Sequence, residues 1–265
     1  MIEFSEIESI YYLLPLIGLL IGLFGTVLGG GGGFFFLPAL TLLIGVPAQT
    51  AVITSLVASL PICIVGSLGH FHKGNIDFKF GLKFAFAGII GAFVGAAITG
   101  IITANQLKIS FGIYSVVIAL NMVVDTWRKK QAEKSGIERG NLTVLGKNVR
   151  SLFFGFLAGT ITGTFGTSGT APVLTGLFAL RLPLKLVIGT SLLVVLSNTL
   201  ISIGAHFVVG KIDLILICFL TAGSFFGAVI GPKFLSKIKT GKSENKLRYL
   251  YATVMVVLGI LMITG

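Results

Sequence analysis

The chain has 265 residues, 54% of them hydrophobic and only 11% charged, with a mean hydropathy of +1.01. Soluble domains carry about 25% charged residues, so this composition excludes a soluble enzyme or binding module and describes a polytopic membrane protein. The net charge of +11 does not point to nucleic acid, because most basic residues fall in short segments between apolar runs, as in cytoplasmic loops.

Glu3, Glu6 and Glu8 stand where a cleavable signal would be basic, so the first apolar run, residues 11–28, is expected in the mature protein. It ends in Gly29-Gly30-Gly31-Gly32-Gly33, followed by Phe34-Phe35-Phe36-Leu37-Pro38. Each glycine costs a helix interior about 1 kcal/mol relative to alanine, so the helix must break here. Opened backbone at membrane depth is tolerated only where it is buried in protein or lines a cavity. A short piece to residue 44 and a turn at Gly45-Val46-Pro47 lead to a span at 48–71, with a kink expected at Pro61. Spans at 78–103 and 107–124 follow, with Trp127 at the interface.

The hydrophilic segment 128–150 separates these from a second series: an apolar piece at 152–162, a break at 162–170, a short piece at 171–180, and spans at 183–209, 214–235 and 247–264. Cys63 and Cys218 lie inside apolar runs and read as buried thiols, with neither disulfide nor metal spacing.

The two series repeat each other. A shift of 134 residues lays Gly25, Gly29, Gly32 and Pro38 on Gly159, Gly163, Gly166 and Pro172. A shift of 136 lays Pro47, Thr54-Ser55-Leu56 and His70-Phe71 on Pro183, Thr190-Ser191-Leu192 and His206-Phe207. The same shift carries Gly74, Ile76 and Asp77 onto Gly210, Ile212 and Asp213. If each half crosses the membrane an odd number of times with the N-terminus outside, all but Lys108 and Lys211 of the 20 basic residues fall on the cytoplasmic side. An even number divides them almost equally, against the usual bias of short loops.

The expected fold is therefore all-α, an inverted 5+5 repeat of membrane segments with two broken, short helix pairs meeting near the midplane. Residues 1–127 form the first repeat, 128–150 a basic cytoplasmic linker and 151–265 the second, inverted repeat, with both termini outside. The parity argument leaves open whether the short pieces cross or re-enter.

Inverted repeats hold their ligand between the halves, on broken helices. The candidate substrate site is Gly31, Gly32 and Gly33 of the first break with Thr164, Thr167, Ser168, Gly169 and Thr170 of the second. Thr54, Ser55, Thr190, Ser191 and Asn198 stand nearby. A helix starting near Thr170 would aim its amides and positive dipole end at the break, and the hydroxyls add neutral donors. The competing readings are close packing by small residues, back-bonding of Thr and Ser to the preceding turn, and a helix–helix hydrogen bond from Asn198, whose counterpart is Ile62. His70 and His206 are read as caps or gates at span ends, and Asp77 and Asp213 as N-caps.

All nine acidic residues are terminal, in loops or at span ends, leaving no mid-depth carboxylate for a cation or a proton relay. A small anion is the expected substrate, with the lipid bilayer as the other partner; no cofactor, metal or nucleic acid is expected, and a homodimer is compatible. No Lys-Ser/Thr follows the glycines as a phosphate loop needs, and no nucleophile–base pair suggests an enzyme.

These residues resemble the TauE/SafE family of sulfite-exporter-like transporters over nearly the whole chain. The resemblance rests on Gly25 to Pro38 and Thr54-Ser55-Leu56, their recurrence at Gly159 to Pro172 and Thr190-Ser191-Leu192, the Gly-x-Ile-Asp turns at 74–77 and 210–213, and the Gly-Ala pairs at 91–92 and 227–228. It implies a plasma-membrane permease, often an exporter, for sulfite, an organosulfonate or a related sulfur compound. Five glycines in one break and a polar second break depart from a plain repeat. The function expected is alternating-access transport, with an anion channel on the same site or a membrane scaffold as the alternatives.

Overall fold

Helix α1 (Leu14–Val27), entered through a tight turn at Ser9–Leu13, begins the fold, and α2 (Gly33–Pro38) continues through a wide turn at Ala39–Leu43. The long helices α3 (Ala48–His72), α4 (Phe78–Ile101) and α5 (Ala104–Ser135) complete the first series. The second comprises α6 (Val144–Phe165), α7 (Thr170–Ala179), α8 (Leu184–Val209), α9 (Leu214–Leu235) and α10 (Lys242–Thr264). The computed structural model describes residues 2–3, 8–27, 32–135, 143–180, 182–209, 212–235 and 242–265.

Local chemistry sets several ends. Asp77 caps α4 by accepting the Phe80 N–H (3.1 Å), Asp213 caps α9 by accepting those of Ile215 and Leu216 (3.0 and 3.3 Å), and Thr143 caps α6 through Gly146 (3.2 Å). Helix α3 runs on through Pro61. Since α5 extends to Ser135 and α6 starts at Val144, much of the hydrophilic segment 128–150 is helical. Among the described residues, five helices are long and apolar enough to cross a membrane: α3, α4, α5 over Ala104–Val124, α8 over Lys185–Phe207 and α9 over Leu214–Gly231. Their outward faces are apolar, as at Phe86, Phe93, Leu120, Leu200 and Phe226. Cys63 is buried as expected, but Cys218 is on an exposed face.

Two helix pairs are seamed by glycine. On α1 and α9, a Cβ at Gly22 would lie 2.5 Å from the Ser224 carbonyl, and one at Gly227 only 2.2 Å from the Leu19 carbonyl. On α4 and α6, a Cβ at Gly159 would lie 2.0 Å from the Gly88 carbonyl and one at Gly163 would lie 2.3 Å from that of Ala92. Lipid tails are as apolar as a Leu side chain, so such backbone contact, not hydrophobic burial, drives helix association in a membrane. Residue numbers rise together along both pairs, so each pair is parallel. The first helix of each series thus packs on the fourth helix of the other. Helices α3 and α8 cross antiparallel, Gly66 meeting Leu192 and Gly189 meeting His70. Helices α5 and α10 also run antiparallel, Gly112 meeting Gly259 while the Ser115 hydroxyl donates to the Met255 carbonyl.

The turns gather at two ends. At one end Ile2–Glu3 (β1) pairs in parallel with Ile212–Asp213 (β2), and the Gln49 side chain donates to the Ile102 carbonyl (3.1 Å). At the other, the Asp77 N–H donates to Thr190 Oγ1 (2.8 Å), Lys83 to Asn148, and Arg150 to the Ala179 carbonyl (3.4 Å). This second end carries Lys73, Lys79, Lys83, Lys147, Arg150 and Lys185.

The glycine seam predicts that Gly159→Val destabilises the protein by about 3 kcal/mol or more, since the backbone of α4 leaves no room to relax. Gly204→Ala, with nothing within 4 Å, should be neutral or gain up to about 1 kcal/mol of helix propensity. Thermal unfolding in detergent measures both.

Candidate functional site

Both breaks turn on glycines in the left-handed region. Helix α6 stops where Gly166 takes φ 65°, its N–H donating to the Thr162 carbonyl (3.0 Å), and α7 starts after Gly169 at φ 53°. Helix α2 starts after Gly32 at φ 67°. These values suit glycine, which has no Cβ to clash. Neither α2 nor α7 receives a side-chain cap.

The breaks touch each other. A Cβ on Gly33 would lie 2.9 Å from the Ser168 nitrogen and 3.3 Å from the Gly166 carbonyl. Gly166 lies against the Val52 carbonyl of α3, and Gly32 lies between Ile21 and Ile62. The starts of α2 and α7, and with them two positive dipole ends, therefore converge on one junction.

The opened backbone of the second break is held by side chains from other helices. Thr99 of α4 donates to the Thr164 carbonyl (2.9 Å), with those of Gly95 and Gly163 also in reach (3.1 and 3.3 Å). His206 of α8 donates from Nε2 to the Gly163 carbonyl (2.6 Å). The Thr162 hydroxyl donates to the Ala158 carbonyl (2.8 Å), that of Thr164 to Gly95 (3.4 Å), and that of Thr170 to Ser168 Oγ (2.9 Å). Thr167 Oγ1 is buried without a hydrogen bond of normal geometry and stands beside the Tyr114 hydroxyl. Aromatic rings wall the junction: Phe165 stacks on Tyr114 (5.4 Å between centroids), Phe34 packs on Phe111 (5.1 Å) and Phe35 meets Tyr251 edge-on (5.3 Å). The Tyr114 and Tyr251 phenols are close enough to interact.

The sequence profile of the family described as Sulfite exporter TauE/SafE matches residues 14–262. The chain belongs to the TauE/SafE family. A probable membrane transporter protein of Bacillus subtilis, YdhB, is 29% identical over 84% of this chain and 89% of its own. A probable membrane transporter protein of Xylella fastidiosa is 32% identical over 70% of this chain and 69% of its own. One from Methanocaldococcus jannaschii is 24% identical over 95% of this chain and 94% of its own. No solved structure matches the chain. This TauE/SafE chain is thus a multi-pass membrane protein of a transporter family.

Of the candidate residues in this TauE/SafE chain, the structure gathers Gly32, Gly33, Thr164, Thr167, Ser168, Gly169 and Thr170 at the junction; Gly31 lies outside the described residues. Thr54 and Ser55 are buried on α3 near Val52, and their hydroxyls back-bond to Thr50 (3.0 Å) and Ala51 (2.6 Å). Thr190 is drawn to the α3–α4 turn instead, where its oxygen accepts the Asp77 N–H. Ser191 and Asn198 are wholly buried with no partner, and Asn198 lies over Gly88, where a Cβ would be 2.1 Å from its Oδ1.

Sequence reading missed Thr99, Tyr114 and Tyr251, and it placed His206 at a membrane edge; His206 is in fact buried and bound to the second break. The tyrosines carried a legible signal, since 114 and 251 differ by 137, as do Gly32 and Gly169, the residues that open α2 and α7. Gly22 on Ser224 and Gly159 on Gly88 are likewise matched contacts 137 residues apart along α1 and α6. The sequence shift of 134 aligned repeated letters; the contacts align repeated roles.

His206→Ala would leave the buried Gly163 carbonyl with only the longer Thr99 contact (3.3 Å), at a cost of about 1–3 kcal/mol. Thr99→Val should cost a similar amount at Thr164. Thr160→Val removes only an exposed back-bond on α6 and should stay within about 0.5 kcal/mol. Thermal unfolding in detergent separates the three.

Proposed function

We propose that this TauE/SafE chain is an alternating-access permease for a small oxyanion, with sulfite, an organosulfonate or a related sulfur compound as the class and export as the direction. Its halves are an inverted 5+5 repeat. The parallel α1/α9 and α4/α6 pairs, with the antiparallel α3/α8 and α5/α10 crossings, are what a twofold axis in the membrane plane would produce. The gathering of basic residues at the end bearing the 73–77 turn supports a cytoplasmic position for that end. Both termini would then lie outside, with β1 beside the α8–α9 turn.

The observation that carries the reading is the junction of the two breaks. Gly33 against Ser168 joins two helix starts without side-chain caps, and Thr167 offers a buried hydroxyl beside the Tyr114 phenol. The Tyr114 and Tyr251 phenols add neutral donors. Asp77 and Asp213, at the heads of α4 and α9, are engaged as helix caps. Donors without a facing carboxylate suit an anion. Glycine at 32 and 33 keeps the approach to the backbone open.

The reading is tested in proteoliposomes with sulfite and a two-carbon sulfonate. Saturable uptake with counterflow is expected, and Thr167→Trp or Gly33→Val should lower it at least tenfold while the protein still elutes as a folded species. Unsaturable flux would make it a channel. Failure of every oxyanion to bind or move would refute the proposal.

A further inference from the structure

The second break is held by a buried group that can change its charge. The Gly163 carbonyl belongs to the last turn of α6, where a helix leaves carbonyls without an N–H and presents its negative dipole end. His206 of α8 is buried and meets that carbonyl at 2.6 Å. A carbonyl only accepts, so Nε2 carries the proton and the neutral ring keeps a bare lone pair at Nδ1. Histidine is the side chain whose ordinary pKa lies near neutrality, and His206 is the one histidine bonded to either break among the described residues.

The face of α8 that carries the ring is polar and unsatisfied. Helical spacing puts Ser191, Asn198 and Ser202 on the same face, each buried with no hydrogen-bond partner. Side chains lean toward the start of their helix, so His206 leans toward Ser202, one turn back. Protonated at Nδ1, the ring would donate on both sides, to the Gly163 carbonyl and toward the Ser202 hydroxyl. The helices packed on α8 are α3, α4, α6 and α7. Helix α7 has no titratable residue. Lys147 and Arg150 of α6, Lys79 and Lys83 of α4 with its cap Asp77, and His70 and His72 of α3 all stand at the basic end, as does Lys185 of α8 itself. Cys63 of α3 stands beside Thr199. At the end nearer His206 are Asp213, whose carboxylate caps α9, Glu3 in the strand beside it, and Lys108 near the head of α5; Lys211 lies outside the described residues. A buried imidazolium without a counter-charge is costly. An anion held by Thr167 and the start of α7, just beyond Gly163 in the chain, supplies one.

We propose that His206 is the proton site of this carrier. Its ring binds one proton at Nδ1 as the anion seats at the junction and returns it to water as the anion leaves, so one proton crosses with each anion. This rests on the reading of the junction as an alternating-access anion site. The proton enters and leaves by the water that admits the anion, because the ring is bonded to the break itself. Transport of a monoanion then moves no net charge, and export driven by anion accumulated inside takes acid out with it.

Ethanesulfonate, an anion at every accessible pH, tests the coupling in proteoliposomes with valinomycin and equal potassium on both sides. From equal sulfonate concentrations, an exterior more acid by about one pH unit should accumulate it inside up to about tenfold, the limit for one linked proton. Its Kd should fall with acidification by up to about the same factor per pH unit. His206→Gln keeps an N–H for the Gly163 carbonyl but takes up no proton. It should still equilibrate the sulfonate down a concentration gradient, with no accumulation and a Kd that does not vary with pH. His206→Asn is the second variant, elution as a folded species being checked for both, and His72→Gln, at an exposed position, should match the wild type. Accumulation or a pH-dependent Kd in the folded Gln or Asn variant overturns the proposal. So does a wild type that carries sulfonate without accumulating it, and the anion reading of the junction then stands. A wild type that neither binds nor moves any oxyanion overturns both.

Discussion

A backbone that opens inside a membrane has no water to complete its hydrogen bonds, and most of this structure answers that constraint. At the second break the carbonyls of Thr162, Gly163 and Thr164 are taken by Gly166, His206 and Thr99 respectively. Two of those three donors come from other helices. Thr99 reaches the break because Gly91, Gly95, Gly159 and Gly163 let α4 and α6 touch backbone to backbone. Replacing any of these glycines by a larger residue would move Thr99 away from the carbonyl it holds. The glycine seam and the break are one device.

The polar groups of the interior fall into two kinds. Around the second break Thr99, His206, Thr162 and Thr164 are paired, which fixes α4 against α6. On α8, Ser191, Asn198 and Ser202 are buried with no hydrogen-bond partner. A paired network holds a shape; an unpaired one interacts with whatever enters. The two glycine-seamed pairs, α1/α9 and α4/α6, are well suited to move as rigid bodies, while the α3–α8 crossing between them has few direct hydrogen bonds to break.

The series are not equal in chemistry. Ile62 and Asn198 hold matched positions, yet Ile62 packs apolar on Gly32 whereas Asn198 brings an amide to Gly88. Ser224 stands where the other pair has Gly88, and its hydroxyl donates to the Ala58 carbonyl (2.7 Å).

By itself the sequence determined whatever depends on short-range chemistry. Apolar runs of membrane length, glycines that no helix interior tolerates cheaply, and Asp77 and Asp213 at the heads of α4 and α9 are each legible within a few residues of chain. The recurrence of these marks disclosed two series and hence the breaks as a pair. Tertiary structure alone decided which breaks touch, that Thr190 serves a turn from the other series, that His206 is buried on a carbonyl 43 positions away, and that Tyr114 and Tyr251 share a wall. Those outcomes depend on the rotation and depth of helices packed through glycine. A helix seam between backbones is set by contacts on all sides at once, and no local pattern of residues encodes it.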